Sequence, residues 1–102
     1  ILDYIDSNLD QDLSLEEMEN KFFINKYYLC RLFKSTTGCN LNEYIKYKRI
    51  ARAKTLLAEG YNVTETCSLS GFNDYSHFIR SFKQKVGVSP GKYQKELALV
   101  PY

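Results

Sequence analysis

Arg31 and Arg80 stand at matched places in two stretches that nearly repeat one another, and they are the side chains here best suited to specific recognition. A guanidinium presents parallel N–H donors at the spacing of guanine O6 and N7, so an arginine on an exposed helix face can read a base in the DNA major groove. Its bland use is a surface ion pair of little energetic weight. Lys34 and Lys83 lie three residues further on in each stretch. An ammonium there positions a phosphate backbone without reading sequence. Tyr27 and Tyr75 could pack against thymine methyls or only finish an apolar rim.

These residues need helices to aim them. The run 71–93, GFNDYSHFIRSFKQKVGVSPGKY, holds all the parts of one. Asn73 and Asp74 can accept bonds from free first-turn amides. Phe78 and Phe82 share a face, Arg80 and Lys83 lie on another, and Gly87 ends the helix. Ser89-Pro90 then opens a further helix at its capped first position. A helix with one buried side and one basic side suits a major groove.

The same unit occurs earlier in the chain. At an offset of 49 residues, YLCRLFKSTTGCNLNEY from Tyr28 to Tyr44 matches HFIRSFKQKVGVSPGKY from His77 to Tyr93, bringing Arg31 onto Arg80, Phe33 onto Phe82, Lys34 onto Lys83 and Gly38 onto Gly87. Ahead of each copy stands a capping box, Ser14 with Glu17 and Asn62 with Glu65, offset by 48 residues. The chain therefore reads as two copies of a helix-turn-helix unit.

The remaining helices follow from apolar spacing. Ile1, Leu2, Ile5 and Leu9 predict a first helix ending near Asn8 to Asp10, with its acids toward solvent. A second opens at Ser14 and runs through Leu15, Met18 and Phe22. Asn25 caps a third, from Lys26 to about Thr37, which is expected to bury Leu29, Leu32 and Phe33. From Asn40 or Leu41 to about Glu59 no proline or glycine interrupts Ile45, Ile50, Ala53, Leu56 and Leu57, so a linker helix is predicted, a rod of about 27 Å. Lys46, Lys48, Arg52 and Lys54 spread around it, most of them expected in solvent. A fifth helix runs through Val63, Cys67 and Leu69, and a seventh from Pro90 to about Leu97, with 99–102 as a loose tail. The expected class is all-α: seven helices in two helix-turn-helix subdomains, 1–40 and 60–102, joined by a linker helix at 41–59.

Composition narrows the function. The chain has 102 residues, a net charge of +2, three cysteines and one histidine. Residues 1–24 carry seven acidic side chains against Lys21, whereas residues 25–56 carry eight basic ones against Glu43. On charge alone, an acidic start and a basic middle fit either solvated helix faces or a molecule with one face ready for phosphate. Cys30, Cys39 and Cys67 form no CxxC pair, and His77 is the lone histidine, so neither a disulfide framework nor a metal site is expected. So little histidine also argues against a catalytic triad, and no enzyme activity or cofactor is expected. Free thiols favour a cytoplasmic setting. No apolar run reaches ~18 residues, the length a spanning helix needs. The chain begins at Ile1 and is expected to be part of a longer protein. On the residues alone, a helical protein-interaction module and a non-specific nucleic-acid binder stay open as alternatives.

The pattern GF-x-D-x-S-x-F-x-R-x-FK followed by G-x-SP-x-x-Y, here Gly71-Phe72, Asp74, Ser76, Phe78, Arg80, Phe82-Lys83, Gly87, Ser89-Pro90 and Tyr93, resembles the second motif of the AraC/XylS family of bacterial transcription regulators. The similarity covers nearly the whole chain, including Arg49, Ala53 and Leu56-Leu57 of the linker helix. It implies a seven-helix domain that binds double-stranded DNA, with recognition helices third and sixth in order. It further implies promoter regulation, usually activation through RNA polymerase, and a sensing or dimerising region ahead of Ile1. Tyr27, Cys30, Tyr75, Ser76 and Ile79 match positions that in the family approach bases or the sugar-phosphate edge. His77 falls where an aromatic residue is frequent and is expected in rim packing or a phosphate contact. The chain departs from the family pattern at Glu19 and Phe23, usually alanine and glycine, and at Thr66 and Ser70, usually aliphatic.

Overall fold

The helix starts follow from local acceptors. A computed structural model describes residues 2–11 and 13–99, with only the backbone of Leu99; among them are seven α-helices and no strand. The first is α1, Leu2–Ser7. Ser14 Oγ accepts from Glu17 N at 3.2 Å to open α2, Leu15–Phe22. Asn25 Oδ1 accepts from Tyr27 N and Tyr28 N at 2.9 and 3.4 Å and opens α3, Lys26–Thr37. Asn40 Oδ1 takes Glu43 N at 2.9 Å, ahead of α4, Leu41–Ala58. At α5, Val63–Leu69, both halves of the Asn62/Glu65 box form. Asp74 Oδ1 accepts from His77 N at 3.2 Å before α6, Tyr75–Val86, and Ser89 Oγ from Lys92 N at 3.3 Å before α7, Pro90–Leu99. Each such cap contributes about 1 kcal/mol. α3 and α6 stop at glycines in the left-handed region: Gly38 and Gly87 donate their amides back to Lys34 and Lys83 carbonyls at 2.8 Å.

The helices form two compact units, 1–48 and 49–102, whose boundary falls within α4. In the first unit, Ile5, Leu9, Leu13, Met18, Leu29, Phe33, Leu41 and Ile45 make the core, with Tyr4, Phe22 and Tyr44 against it. Phe33 meets Tyr44 edge-on at 5.1 Å. In the second, Ile50, Ala53, Leu57, Cys67, Phe72, Phe78 and Phe82 make the core. Its aromatic rings run in series, Phe72 to Phe78, Phe78 to Phe82 and Phe82 to Tyr93, with centroids 5.1, 5.9 and 5.5 Å apart. The matched pairs Leu29/Phe78 and Phe33/Phe82 thus anchor α3 and α6 in the same way.

Several sequence expectations need correction. Leu32 is 42% exposed. It lies at i+3 from Leu29, rotated away from Phe33, and lines an open groove of about 410 Å³ with Leu2, Leu29, Phe33 and Thr36. Leu69, in the last turn of α5, is likewise exposed. The first helix ends at Ser7, and Leu9 reaches the core from the turn beyond it. The seventh helix continues to Leu99. Ile1 and residues 100–102 of the expected tail lie outside the described residues.

The acids of α1, Asp3 and Asp6, face solvent as expected, and Asp6 has partners as well: its Oδ1 accepts from Tyr44 Oη at 3.2 Å and lies 4.0 Å from Lys48 Nζ. Burial first, then the charge and bond of Asp6, push the Tyr44 phenol above its ordinary pKa. None of the α4 cations is buried, and Lys48, Lys54 and Arg52 also make contacts. Lys48 sits over the Tyr44 ring, Lys54 over Tyr93, and Arg52 Nε donates to Leu69 O at 3.0 Å, closing the end of α5. Long basic side chains lay their stems along neighbouring rings, which a count of charges does not reveal. Gln94 of α7 donates to the carbonyls of Leu57 and Tyr61 at 3.0 and 2.7 Å, satisfying the end of α4. No helix among the described residues is long and apolar enough to cross a membrane.

Candidate nucleic-acid interface

With Leu29 and Phe33 buried, the outward face of α3 is set by helix geometry. Tyr27, Arg31 and Lys34 succeed one another at spacings of four and three and share it. All three are exposed, Tyr27 by 69%, and Cys30 is half-buried on the flank. On α6 the matched residues Ser76, Arg80 and Lys83 are exposed on the face opposite Phe78 and Phe82. Arg80 Nε donates to Ser76 O at 3.4 Å, which lays the side chain back along the first turn. Ile79 is half-buried and packs against the second core, so its free surface is narrow. Tyr75 is half-exposed. It matches Lys26 in the repeat, not Tyr27, and points about 100° away from Ser76 around the helix. His77 is exposed and meets the ring of Phe72 at 5.7 Å, the first of the two roles expected of it.

Two exposed residues extend these faces and were not singled out from sequence: Ser35 and Gln84, four residues beyond Arg31 and Arg80. Their spacing was the available signal. The Ser35 hydroxyl donates to Leu32 O at 2.9 Å and is turned toward its own helix, whereas the amide of Gln84 can reach outward.

The way α3 is mounted also goes beyond what spacing predicts. Glu19 Oε2 accepts from Lys26 N at 2.7 Å. The ammonium of Lys26 lies 4.0 Å from Glu16 and over the Tyr27 ring. Together with Asn25, these contacts supply acceptors for the first three amides of α3 from the protein itself. Neither unit groups metal-ligating side chains: no cluster of histidine, cysteine and carboxylates that could hold an ion occurs among the described residues. The chemistry on offer is guanidinium, ammonium, hydroxyl and ring edges on two exposed helix faces, which suits recognition of phosphate and base edges.

Comparison with known proteins agrees with this arrangement. A helix-turn-helix domain family model matches residues 18–96. The chain is 37% identical over 98 residues to the uncharacterized HTH-type transcriptional regulator YijO of Escherichia coli K12, covering 94% of this chain and 34% of that protein. It thus spans about a third of YijO. To the multiple antibiotic resistance protein MarA of the same organism it is 33% identical over 95 residues, covering 92% of this chain and 75% of MarA. Among solved structures, it is similar to the DNA-binding domain of AdpA, a global transcriptional factor crystallised with a target DNA, at a TM-score of 0.88 and 22% identity over 93% of this chain and 86% of that one. At that identity the likeness speaks for the all-helical fold. The matched family model and the length of MarA covered establish that the chain belongs to the AraC-type helix-turn-helix family of transcription-regulator DNA-binding domains.

Proposed function

We propose that the chain is the sequence-specific DNA-binding part of a bacterial transcription regulator, with α3 and α6 reading neighbouring major-groove segments of one duplex. The observation that carries this is the repeated exposed face: Tyr27, Arg31 and Lys34 recur as Ser76, Arg80 and Lys83, set opposite a matched pair of core anchors, with Cys30 and Ile79 half-buried at matched places on the flank. Arg31 and Arg80 contact guanine, Lys34 and Lys83 contact phosphate, and Tyr27, Tyr75 and Ser76 line the groove beside them. Because the two copies carry different residues around their arginines, the target is a non-palindromic site.

The role is binding and not catalysis, and its setting is the cytoplasm. The full protein has a sensing or dimerising region ahead of Ile1 and acts as an activator through RNA polymerase, a reading supported by the family and by the greater length of YijO. Selection of bound sequences from a random duplex pool tests the central claim. One asymmetric consensus of two segments is expected, bound ~10³-fold or more tightly than random duplex at fixed salt. A pool that never enriches would mean non-specific binding or a protein partner instead.

A further inference from the structure

We propose that Glu19 is a positioning residue for α3, required because Phe23 occupies the turn before it; the inference rests on the DNA-reading role proposed above. Phe23 is the sole non-glycine residue with positive φ among the described residues, at 56°, and it is 94% exposed. Its own side chain therefore does nothing to hold the turn. At the offset of 48 residues that aligns Ser14 with Asn62, the same turn position in the second unit is Gly71, with φ 102°. A glycine adopts the left-handed region freely, whereas the Cβ of a phenylalanine is crowded there by the neighbouring carbonyl. A strained residue of this kind persists only where its surroundings over-determine it.

Glu19 supplies that determination. Its carboxylate reaches from the second turn of α2, across seven residues, to accept from Lys26 N at 2.7 Å. The bond closes the strained turn into a ring and is charge-assisted, hence strong. At the matched position of the second unit, where glycine makes the turn, stands Cys67, whose thiol makes only a long contact of 3.7 Å with Phe72 O. The two departures from the family pattern are thus one coupled change: phenylalanine removes the freedom that glycine gives, and glutamate restores a single turn geometry. The direction of Tyr27 and Arg31 depends on that geometry, since recognition side chains act only when their support is fixed.

The test is a mutant cycle of the parent chain, Glu19→Ala, Phe23→Gly and the double variant, with Glu19→Gln beside it. Fluorescence anisotropy would measure binding to the selected duplex and to duplexes with base changes under the α3 or the α6 segment, with folding checked by urea denaturation. Glu19→Ala should lower base discrimination under α3 by roughly tenfold, the weight of a hydrogen bond to a charged group, and leave it intact under α6. Glu19→Gln, whose amide oxygen can accept the same bond, should keep most of it. In the Phe23→Gly background, removing Glu19 should change discrimination less than about threefold, because the coupling between touching residues is gone. An equal loss in both backgrounds, or a loss spread over both segments, overturns the proposal. If Glu19→Ala alone does not fold, the double variant decides: parent-like discrimination supports the coupling and lost discrimination sinks it. A parent with no base preference under α3 would instead overturn the DNA-reading assignment itself.

Discussion

A side chain that reads a base and one that only grips the backbone leave different signatures when removed. Arg80→Ala should weaken binding to the selected site by ~1–3 kcal/mol and relax the choice at one base pair. Equal weakening on all sequences, measured by competition at constant salt, would show that Arg80 makes no base contact. Lys83→Ala should weaken every duplex alike and reduce the slope of log affinity against log salt by about one unit; an unchanged slope removes it from the phosphate contacts. Arg80 and Lys83 were legible from the sequence because exposure opposite Phe78 and Phe82 follows from helical period alone. Thr66 was legible only as a departure from the family pattern, since whether a buried hydroxyl finds a partner depends on side chains brought together from elsewhere. Thr66 is fully buried and its Oγ1 has no hydrogen-bond partner, while Ser70, equally buried, bonds Cys67 O. A buried hydroxyl without a partner costs stability that an isosteric methyl does not. Thr66→Val should therefore raise the free energy of unfolding by about 1 kcal/mol, read from urea midpoints. A lower midpoint would mean that the hydroxyl is satisfied in solution.

Helices were the most legible level, because their starts depend on residues within one turn. Ser14, Asn25, Asn62 and Asp74 each cap the helix that follows, as their type and place in the sequence require. Burial was less legible, because it depends on which neighbour arrives. Leu32 sits at a spacing that fits a core face, but the neighbours of α3 cover Leu29 and Phe33 and leave it open. The contacts of the α4 cations were illegible for a related reason: they stand in or near solvent as expected, but the partners of Lys48 and Arg52, Asp6 and the carbonyl of Leu69, come from elsewhere in the chain. How an element holds its place can be tested where the aromatic series of the second unit is densest. Phe82 is fully buried, with Phe78 on one side and Tyr93 on the other. Phe82→Ala leaves a cavity between α6 and α7 and should cost about 3–5 kcal/mol of stability. A variant that melts like the parent would place Phe82 outside the core and reverse the assignment of the reading face.

At the scale of the whole molecule, the internal repeat was the strongest signal in the sequence, and the structure carries it as two units with matched anchors. α4 is helical over 18 residues through the boundary between them. At ~1.5 Å per residue it is about 27 Å long, while successive exposures of the major groove on one side of B-DNA recur every ~34 Å. If α4 acts as a stiff spacer, a single chain meets a fixed separation of its two segments, a task a symmetric dimer otherwise performs. A flexible joint would tolerate many separations, because lengthening a flexible link costs little. The selected site makes the distinction measurable. Inserting about five base pairs between its segments turns the second to the far side of the duplex, and about ten restores the side but adds a full helical turn of distance. With a stiff spacer, both insertions should reduce affinity to that of one segment alone, as judged by anisotropy against duplexes in which either segment is scrambled. Recovery with the longer insertion would show that the units swing independently, and indifference to both would show that only one helix reads the DNA.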